Sequence, residues 1–193
     1  MLSFEAINAD KWLSCFIAVD AAKSCIHIWN EEYLKDESPN KAIEAAEAWL
    51  SNPCEEIANA AYAASTAAYA AAAAAYDAAT AYDAAAYAAA NAANAANAAN
   101  ASSYAADAAA AYAAYAANAY AANAAAYAAY TLNLNKGDYI DNLLQKHLNF
   151  IIDYKIQNNQ VFGDFEAVFE AASEADKEKL LFYVHMATAE KEQ

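Results

Sequence analysis

The side chains best able to do chemistry in this chain are its cysteines, its histidines and several paired carboxylates. The cysteines and histidines are Cys15, Cys25, Cys54, His27, His147 and His185. The spacings HExxH, CxxC and ExxH, which hold zinc or di-metal centres, do not occur in the sequence. Each histidine stands alone in an apolar helical pattern, so we expect it to be packed or half exposed. The sequence therefore predicts no metal site and no cofactor.

The sequence also lacks the usual motifs for nucleophilic catalysis and for phosphate binding. Two glycines, Gly137 and Gly163, are too few for a Gly-rich phosphate loop or a GxSxG nucleophile elbow. Cys15 and Cys25 would lie about 15 Å apart along one helix, too far for a disulfide. We expect three buried, reduced thiols. A catalytic triad assembled from distant residues leaves no sequence pattern, but the absent motifs favour a protein that is not an enzyme.

The charge balance is strongly acidic. The chain carries 25 Asp and Glu residues against 10 Lys, with no Arg, and its net charge is −15. Such a charge is repelled by nucleic acid and by anionic membranes, so we expect no direct binding to either. The acidic surface suits a basic protein partner. The carboxylate pairs Glu31/Glu32, Asp36/Glu37 and Glu55/Glu56 are interpreted as solvated helix ends.

Neither a membrane span nor a signal peptide is expected. Residues 84–106 carry no charge, but they contain several Asn and Ser side chains, which are costly in lipid. The first twelve residues, MLSFEAINADKW, show no basic region followed by an apolar one. The prediction is a cytoplasmic protein.

Composition predicts an all-α fold. Two Gly and two Pro in 193 residues are too few for the turns of a β-sandwich or an α/β sheet, and Ala is the best helix former. We expect six or seven helices in a bundle around a long antiparallel Ala/Tyr/Asn-rich helical hairpin. The charges divide the chain, because residues 57–135 contain only three acids and no Lys. We predict a helical domain at 1–135 and a helical extension at 136–193 packed on the same bundle.

The amino-terminal part reads as two helices. Apolar residues from Trp12 to Tyr33 recur at helical spacing and predict one buried stripe. After a loop, Ser38 and Pro39 predict the start of a second helix, with Ile43, Ala46, Trp49 and Leu50 on its buried face. Asn52 and Pro53 then predict the start of a third helix, where Glu55 and Glu56 suit the positive end of the helix dipole.

The central part contains neither Gly nor Pro from residue 54 to 136. A single helix of that length would exceed about 100 Å, so we expect a break near residues 100–103, where Asn and Ser favour capping.

Tyr62, Tyr69 and Tyr76 are spaced by seven and share a face. Asn91, Asn94, Asn97 and Asn100 are interpreted as solvating an Ala-only surface, with an interhelical hydrogen-bond ladder as the alternative.

The carboxyl-terminal part is ordinary amphipathic sequence. We expect a turn at residues 135–138 with Asp138 as a helix cap, followed by one helix from Ile140 to Tyr154. Gly163 and Asp164 predict the start of a short helix. Ser173 is predicted to cap the last one.

Residues 10–130 resemble a known family. The pattern is Trp12 near the start of the first helix, the segment SPNKAIEAAEAWL at 38–50, and then a long Ala-rich helical pair. It is similar to the predicted all-helical immunity proteins of bacterial polymorphic-toxin systems, specifically the fifth numbered family, which phages also encode. Members of that family carry Arg and His in the Ala-rich helices, where this chain carries Tyr, Asn and Asp.

The resemblance implies a non-enzymatic protein that neutralises a toxin by binding it. The side chains proposed to bind the partner are Glu31, Glu32, Asp36, Glu37, Tyr62, Tyr69 and Tyr76, because acids steer basic partners and Tyr is frequent at interface hot spots. Two alternatives stay open. One is a phage-encoded anti-defence inhibitor of the acidic DNA-mimic type, directed at a host defence protein. The other is a structural Ala-rich helical protein. The oligomeric state is left open.

Overall fold

A computed structural model describes residues 7, 9–78, 90, 92–97, 120, 123–130 and 132–189, without the side chains of 74–78 and 186–189. Within these residues all regular secondary structure is helical, and no strand occurs. The prediction of an all-α protein is confirmed for this part of the chain.

The helices are numbered in chain order. They are α1 Lys11–Glu32, α2 Ser38–Ser51, α3 Glu55–Ala78, α4 at 92–97, α5 at 123–130, α6 Lys136–Lys146, α7 Leu148–Gln157, α8 Phe165–Ala171 and α9 Glu174–Ala189. The predicted total of six or seven helices stays a prediction, because several of these stretches border residues outside the described set.

The chain forms two compact units. One comprises Asp10–Tyr139, and the other comprises Met1–Ala9 together with Ile140–Gln193. The division predicted after residue 135, and the packing of 136–193 on the same bundle, stay predictions.

Helix α1 begins at an N-cap and is buried over a broad arc. Asp10 accepts a hydrogen bond from the backbone N–H of Leu13 at 2.8 Å, which satisfies one of the free donors of the first turn. Leu13, Ile17 and Cys25 are fully buried, whereas Trp12 and Phe16 of the predicted stripe are half exposed and stack on each other at 5.5 Å. The predicted narrow stripe is therefore only part of the buried surface.

The starts of α2 and α3 differ from the predictions. Ser38 is the first residue of α2, so the prediction of Ser38 as its N-cap is wrong. The N-cap is Glu37, whose side chain makes no capping bond, and the Ser38 backbone N–H donates to Asp36 Oδ1 at 2.9 Å. Asn52 ends α2, and the carbonyl of Cys54 accepts from Ala58 at 3.1 Å. Helix α3 thus begins at Glu55, with Glu56 also in the first turn as expected. The predicted buried face of α2 is confirmed for Ile43, Ala46 and Trp49.

Helices α3 and α4 run antiparallel. Ser65 Oγ donates to Asn97 Oδ1 at 2.8 Å, and Tyr69 Oη donates to Asn94 Oδ1 at 2.7 Å. In one continuous helix, Ser65 and Asn97 would be about 48 Å apart. The predicted unbroken arm from Pro53 to about residue 100 is therefore wrong, because the chain reverses between α3 and α4. The break predicted at 100–103 lies outside the described residues.

The asparagines of α4 are buried. Asn94 is 2% exposed and Asn97 is 9% exposed, so the expectation that they solvate the helix surface is wrong for these two. A step of three residues turns a helix by about −60°, which leaves consecutive members of the series on one face. Small Ala side chains let the helices approach, and the amides bridge them. Asn91 and Asn100 lie outside the described residues.

The Tyr69 phenol belongs to the same buried network. Partial burial raises the pKa of Tyr69, hydrogen bonding to the amide side chains of α4 opposes that rise, and the neighbouring phenols of Tyr127 and Tyr120 add to it. Tyr69 therefore stays a neutral hydrogen-bond donor over the ordinary pH range.

The helices after residue 135 also depart from the predicted boundaries. The predicted helix from Ile140 to Tyr154 is divided at His147 into α6 and α7. Asn135 Oδ1 accepts from the backbone N–H groups of Gly137 and Asp138, so Asn135 caps α6 and the prediction of Asp138 as the cap is wrong. Helix α8 starts where predicted, with Asp164 as its cap, and Ser173 caps α9 as predicted.

The buried bond between α3 and α4 gives a test by double-mutant cycle. Ser65→Ala and Asn97→Ala, alone and together, should show a coupling free energy of about 1 kcal/mol in urea unfolding, because the two groups satisfy each other away from water. Thr66 is exposed, and its Oγ1 donates to the carbonyl of Tyr62 at 3.1 Å. The matched cycle of Thr66→Ala with Asn97→Ala should show no coupling. Equal coupling in both cycles would contradict this packing.

Candidate functional site

The connection between α1 and α2 is an acidic turn, here defined as residues 30–44. Its loop is held by backbone bonds from Tyr33 N to Trp29 O at 2.8 Å and from Asp36 N to Tyr33 O at 3.0 Å. The buried indole of Trp29 donates from Nε1 to Asp36 O at 2.8 Å. The Trp29 and Tyr33 rings stack at 4.2 Å. The buried Trp29 side chain therefore holds both the backbone of the loop at Asp36 and the ring of Tyr33.

An amide pair joins the two helices beside this loop. Asn40 Nδ2 donates to Asn30 Oδ1 at 2.6 Å, and Asn30 Nδ2 donates back to Asn40 Oδ1 at 3.3 Å. A reciprocal pair uses a donor and an acceptor of each amide, so it fixes the spacing of α1 and α2 at the turn.

The structure brings four of the predicted site residues together at the acidic turn. Glu31, Glu32 and Glu37 are exposed, and Asp36 is half-buried, with its carboxylate accepting from the backbone N–H of Ser38 at 2.9 Å. With Glu44, the turn holds five carboxylates against the ammonium groups of two lysines, which leaves a local charge of −3. A concentration of one charge at an exposed turn produces a local field that attracts cations.

Two of these acids lie where a helix disfavours them. Glu31 and Glu32 form the end of α1, and its last turn contains no basic residue. The negative end of the helix dipole repels carboxylates there, whereas Glu55 and Glu56 in the first turn of α3 are attracted by the positive end. The acids of α1 therefore cost stability and those of α3 contribute it.

A cleft of about 510 Å³ lies at the acidic turn. Its walls include Asn30 and Tyr33 from the side of α1 and Glu37, Asn40, Lys41 and Glu44 from the side of α2. Leu34 and Asp36 complete the lining, and both also line a neighbouring hollow of about 320 Å³. The larger volume falls in the range of sites that bind small molecules or side chains.

Leu34 is the residue that the sequence prediction missed. It is 84% exposed, the largest exposure among the large apolar side chains of the described residues. The available signal was weak: Leu34 directly follows the last residue of the predicted stripe, Tyr33, and precedes Lys35, so no predicted face buries it. Besides Leu34, five lining residues were not predicted as site residues: Asn30, Tyr33, Asn40, Lys41 and Glu44.

The predicted tyrosines lie elsewhere, on α3. Tyr62 is 57% exposed and Tyr69 is 39% exposed, and the side chain of Tyr76 lies outside the described residues. The exposed residues of α3 between 59 and 73 carry no charge; they are Asn59, Ala60, Tyr62, Ala63, Thr66, Ala67, Tyr69, Ala70 and Ala73. This surface therefore differs in chemistry from the acidic turn.

No metal centre or membrane-spanning helix is found among the described residues. No group of three or more His, Cys, Asp or Glu side chains is placed there to hold a metal ion. Likewise, none of the helices described is long and apolar enough to cross a bilayer. Cys15 and Cys25 are buried and Cys54 is half-buried, all three as free thiols. Burial raises the pKa of the Cys15 thiol far above its ordinary value, which makes it a poor nucleophile.

Comparison of the chain with protein-family models, curated proteins and solved structures gave no match. The resemblance to immunity proteins consequently rests on the sequence pattern described above and stays a prediction.

Thiol accessibility can be checked directly. In the native protein DTNB should modify Cys54 first, while Cys15 and Cys25 should react about 100-fold more slowly or only on unfolding, because their sulfur atoms are buried. The Cys54→Ser variant should lose the fast phase alone. A fast phase that persists in this variant would contradict the placement of the thiols.

Replacement of Glu by Gln should have opposite effects on stability at the end of α1 and at the start of α3. Glu31→Gln and Glu32→Gln should each raise the melting temperature by about 1–3 °C at low salt, since each removes a carboxylate from the negative end of α1. Glu55→Gln and Glu56→Gln should lower it by a similar amount. Circular dichroism melts measure both, and shifts of the same sign in the two pairs would contradict the electrostatic account.

Proposed function

We propose that this protein is a non-enzymatic inhibitor of the immunity type, which neutralises a toxin by direct binding in the cytoplasm. The acidic turn is its binding surface, and the partner presents a basic surface to it. The sequence resemblance at residues 38–50 supports the class of protein. The free thiols suit a reducing compartment.

The observation that carries the proposal is the placement of an exposed leucine among carboxylates that destabilise their own helix. A single exposed leucine is common on protein surfaces. Here Leu34 stands beside Glu31 and Glu32, whose position at the end of α1 is unfavourable for folding. Side chains that conflict with local stability are characteristic of functional sites. An apolar residue inside a charged rim is also the usual anatomy of a protein interface.

Charge supports a basic partner. The chain has a net charge of −15, and the acidic turn concentrates five carboxylates within fifteen residues. Many toxins that attack nucleic acids are basic, because their substrate is a polyanion. An acidic inhibitor meets such a protein faster than a neutral one would, and the gain decreases as salt is added.

Affinity capture with the full-length chain, from cells that express the genes encoded beside it, tests the proposal. One stoichiometric partner that is a toxin, and whose toxicity is relieved by co-expression of this chain, is the expected result. A host nuclease or restriction subunit as the partner would replace the immunity proposal by the anti-defence one. Absence of any stoichiometric partner would overturn both.

Substitutions at the turn then identify the surface. Leu34→Ala should weaken binding of the captured toxin about 10-fold, because the complex loses the apolar contact that the Leu34 side chain makes once the partner covers it. Leu181→Ala is the matched control, since Leu181 is also an exposed leucine, at 50%, and lies on α9. Equal losses in the two variants, measured by calorimetry, would show that the acidic turn is not the surface.

A further inference from the structure

The cleft at the acidic turn combines two features that one kind of side chain recognises together. Its lining includes an aromatic ring, that of Tyr33, and the carboxylates of Asp36, Glu37 and Glu44. We infer that this cleft binds the guanidinium group of an arginine side chain presented by the partner. The inference rests on the proposed function and names the chemistry of its contact.

Among the described lining residues of the cleft, carboxylates outnumber cations. Glu37, Lys41 and Glu44 follow one another at helical spacing on one face of α2. Lys41 Nζ lies 3.3 Å from Glu37 Oε2, and both side chains are largely exposed, at 65% and 72%. Such a surface pair contributes little and exchanges readily with an incoming cation. The lining therefore contains three carboxylates and one ammonium group.

Arginine fits the lining better than lysine does. A guanidinium is planar, is weakly hydrated, stacks on aromatic rings and donates to carboxylates as a rigid fork. Tyr33 supplies a ring that stacking on Trp29 holds in place at 4.2 Å. The reciprocal amide pair of Asn30 and Asn40 fixes the width of the cleft. A compact ammonium would gain the charge attraction but not the stacking.

The chain contains a built-in reporter of occupancy. The indole N–H of Trp29 donates to the carbonyl of Asp36, which lines the cleft. The indole N–H of Trp12 donates instead to the carbonyl of Leu50, at the far end of α2. In an NMR spectrum of the full-length protein labelled with ¹⁵N, the first signal should respond to binding and the second should not.

The experiment titrates the labelled protein with the peptides acetyl-Gly-Arg-Gly-amide, acetyl-Gly-Lys-Gly-amide and acetyl-Gly-citrulline-Gly-amide. The arginine peptide is expected to shift the Trp29 signal with millimolar affinity, and the lysine peptide at least about threefold more weakly. Citrulline keeps the planar shape without the charge and should produce no saturable shift. Equal responses to arginine and lysine would overturn the inference, as would a Trp29 signal that does not move.

Two double variants that remove the same charge distinguish binding at the cleft from attraction by the net charge of the protein. Glu37→Gln combined with Glu44→Gln should weaken the arginine peptide about fivefold, whereas Glu55→Gln combined with Glu56→Gln removes the same charge from α3 and should change little. Equal losses in the two double variants would mean that only net charge attracts the peptide. Native circular dichroism of each variant verifies its fold.

This test is independent of the partner. A failed peptide titration leaves the capture result and the Leu34→Ala comparison unaffected. Conversely, selective arginine binding without any captured toxin would support the cleft while overturning the immunity proposal.

Discussion

The acidic turn depends on the indole of Trp29. This side chain is 1% exposed, donates to the carbonyl of Asp36 and stacks on Tyr33. Its N–H would cost free energy if it were buried without a partner, so the loop must approach it. The same approach places Asp36 where its carboxylate accepts from the backbone N–H of Ser38, the first residue of α2. A single buried hydrogen-bonding requirement thus fixes the end of α1, the loop and the start of α2.

A different constraint governs the Ala-rich helices. Alanine buries little apolar area, so helices lined by it must approach closely to gain dispersion energy, and Ala contacts alone do not specify a register. The bonds from Ser65 to Asn97 and from Tyr69 to Asn94 supply that specification. Among the described residues, Asn94 Nδ2 is nevertheless buried without a hydrogen-bond partner. Polar side chains in this unit therefore define how α3 meets α4, at some cost in desolvation.

The helical class, the four acids of the turn and the buried face of α2 were accessible from the sequence, because each depends on local composition or spacing. The pairing of Ser65 with Asn97 was not, because it joins residues 32 apart whose contact depends on where the chain reverses. The burial of Asn94 and Asn97 was not predicted, because all four asparagines of the series were treated together and cannot share one face. Two neighbouring members of the series can share a face, and these two do. Leu34 was missed because an exposed leucine has no periodic signature.

The acids of this chain differ in their effect on helix stability, a difference that the net charge does not show. Glu55 and Glu56 stabilise α3 through its dipole, whereas Glu31 and Glu32 oppose the dipole of α1. A requirement for solubility would be met by carboxylates at any exposed position. Solubility therefore does not explain why two of them occupy an unfavourable helix end beside an exposed leucine and an acidic cleft. The basic partner that we propose would explain it, since its positive charge would relieve the repulsion that weakens the free turn.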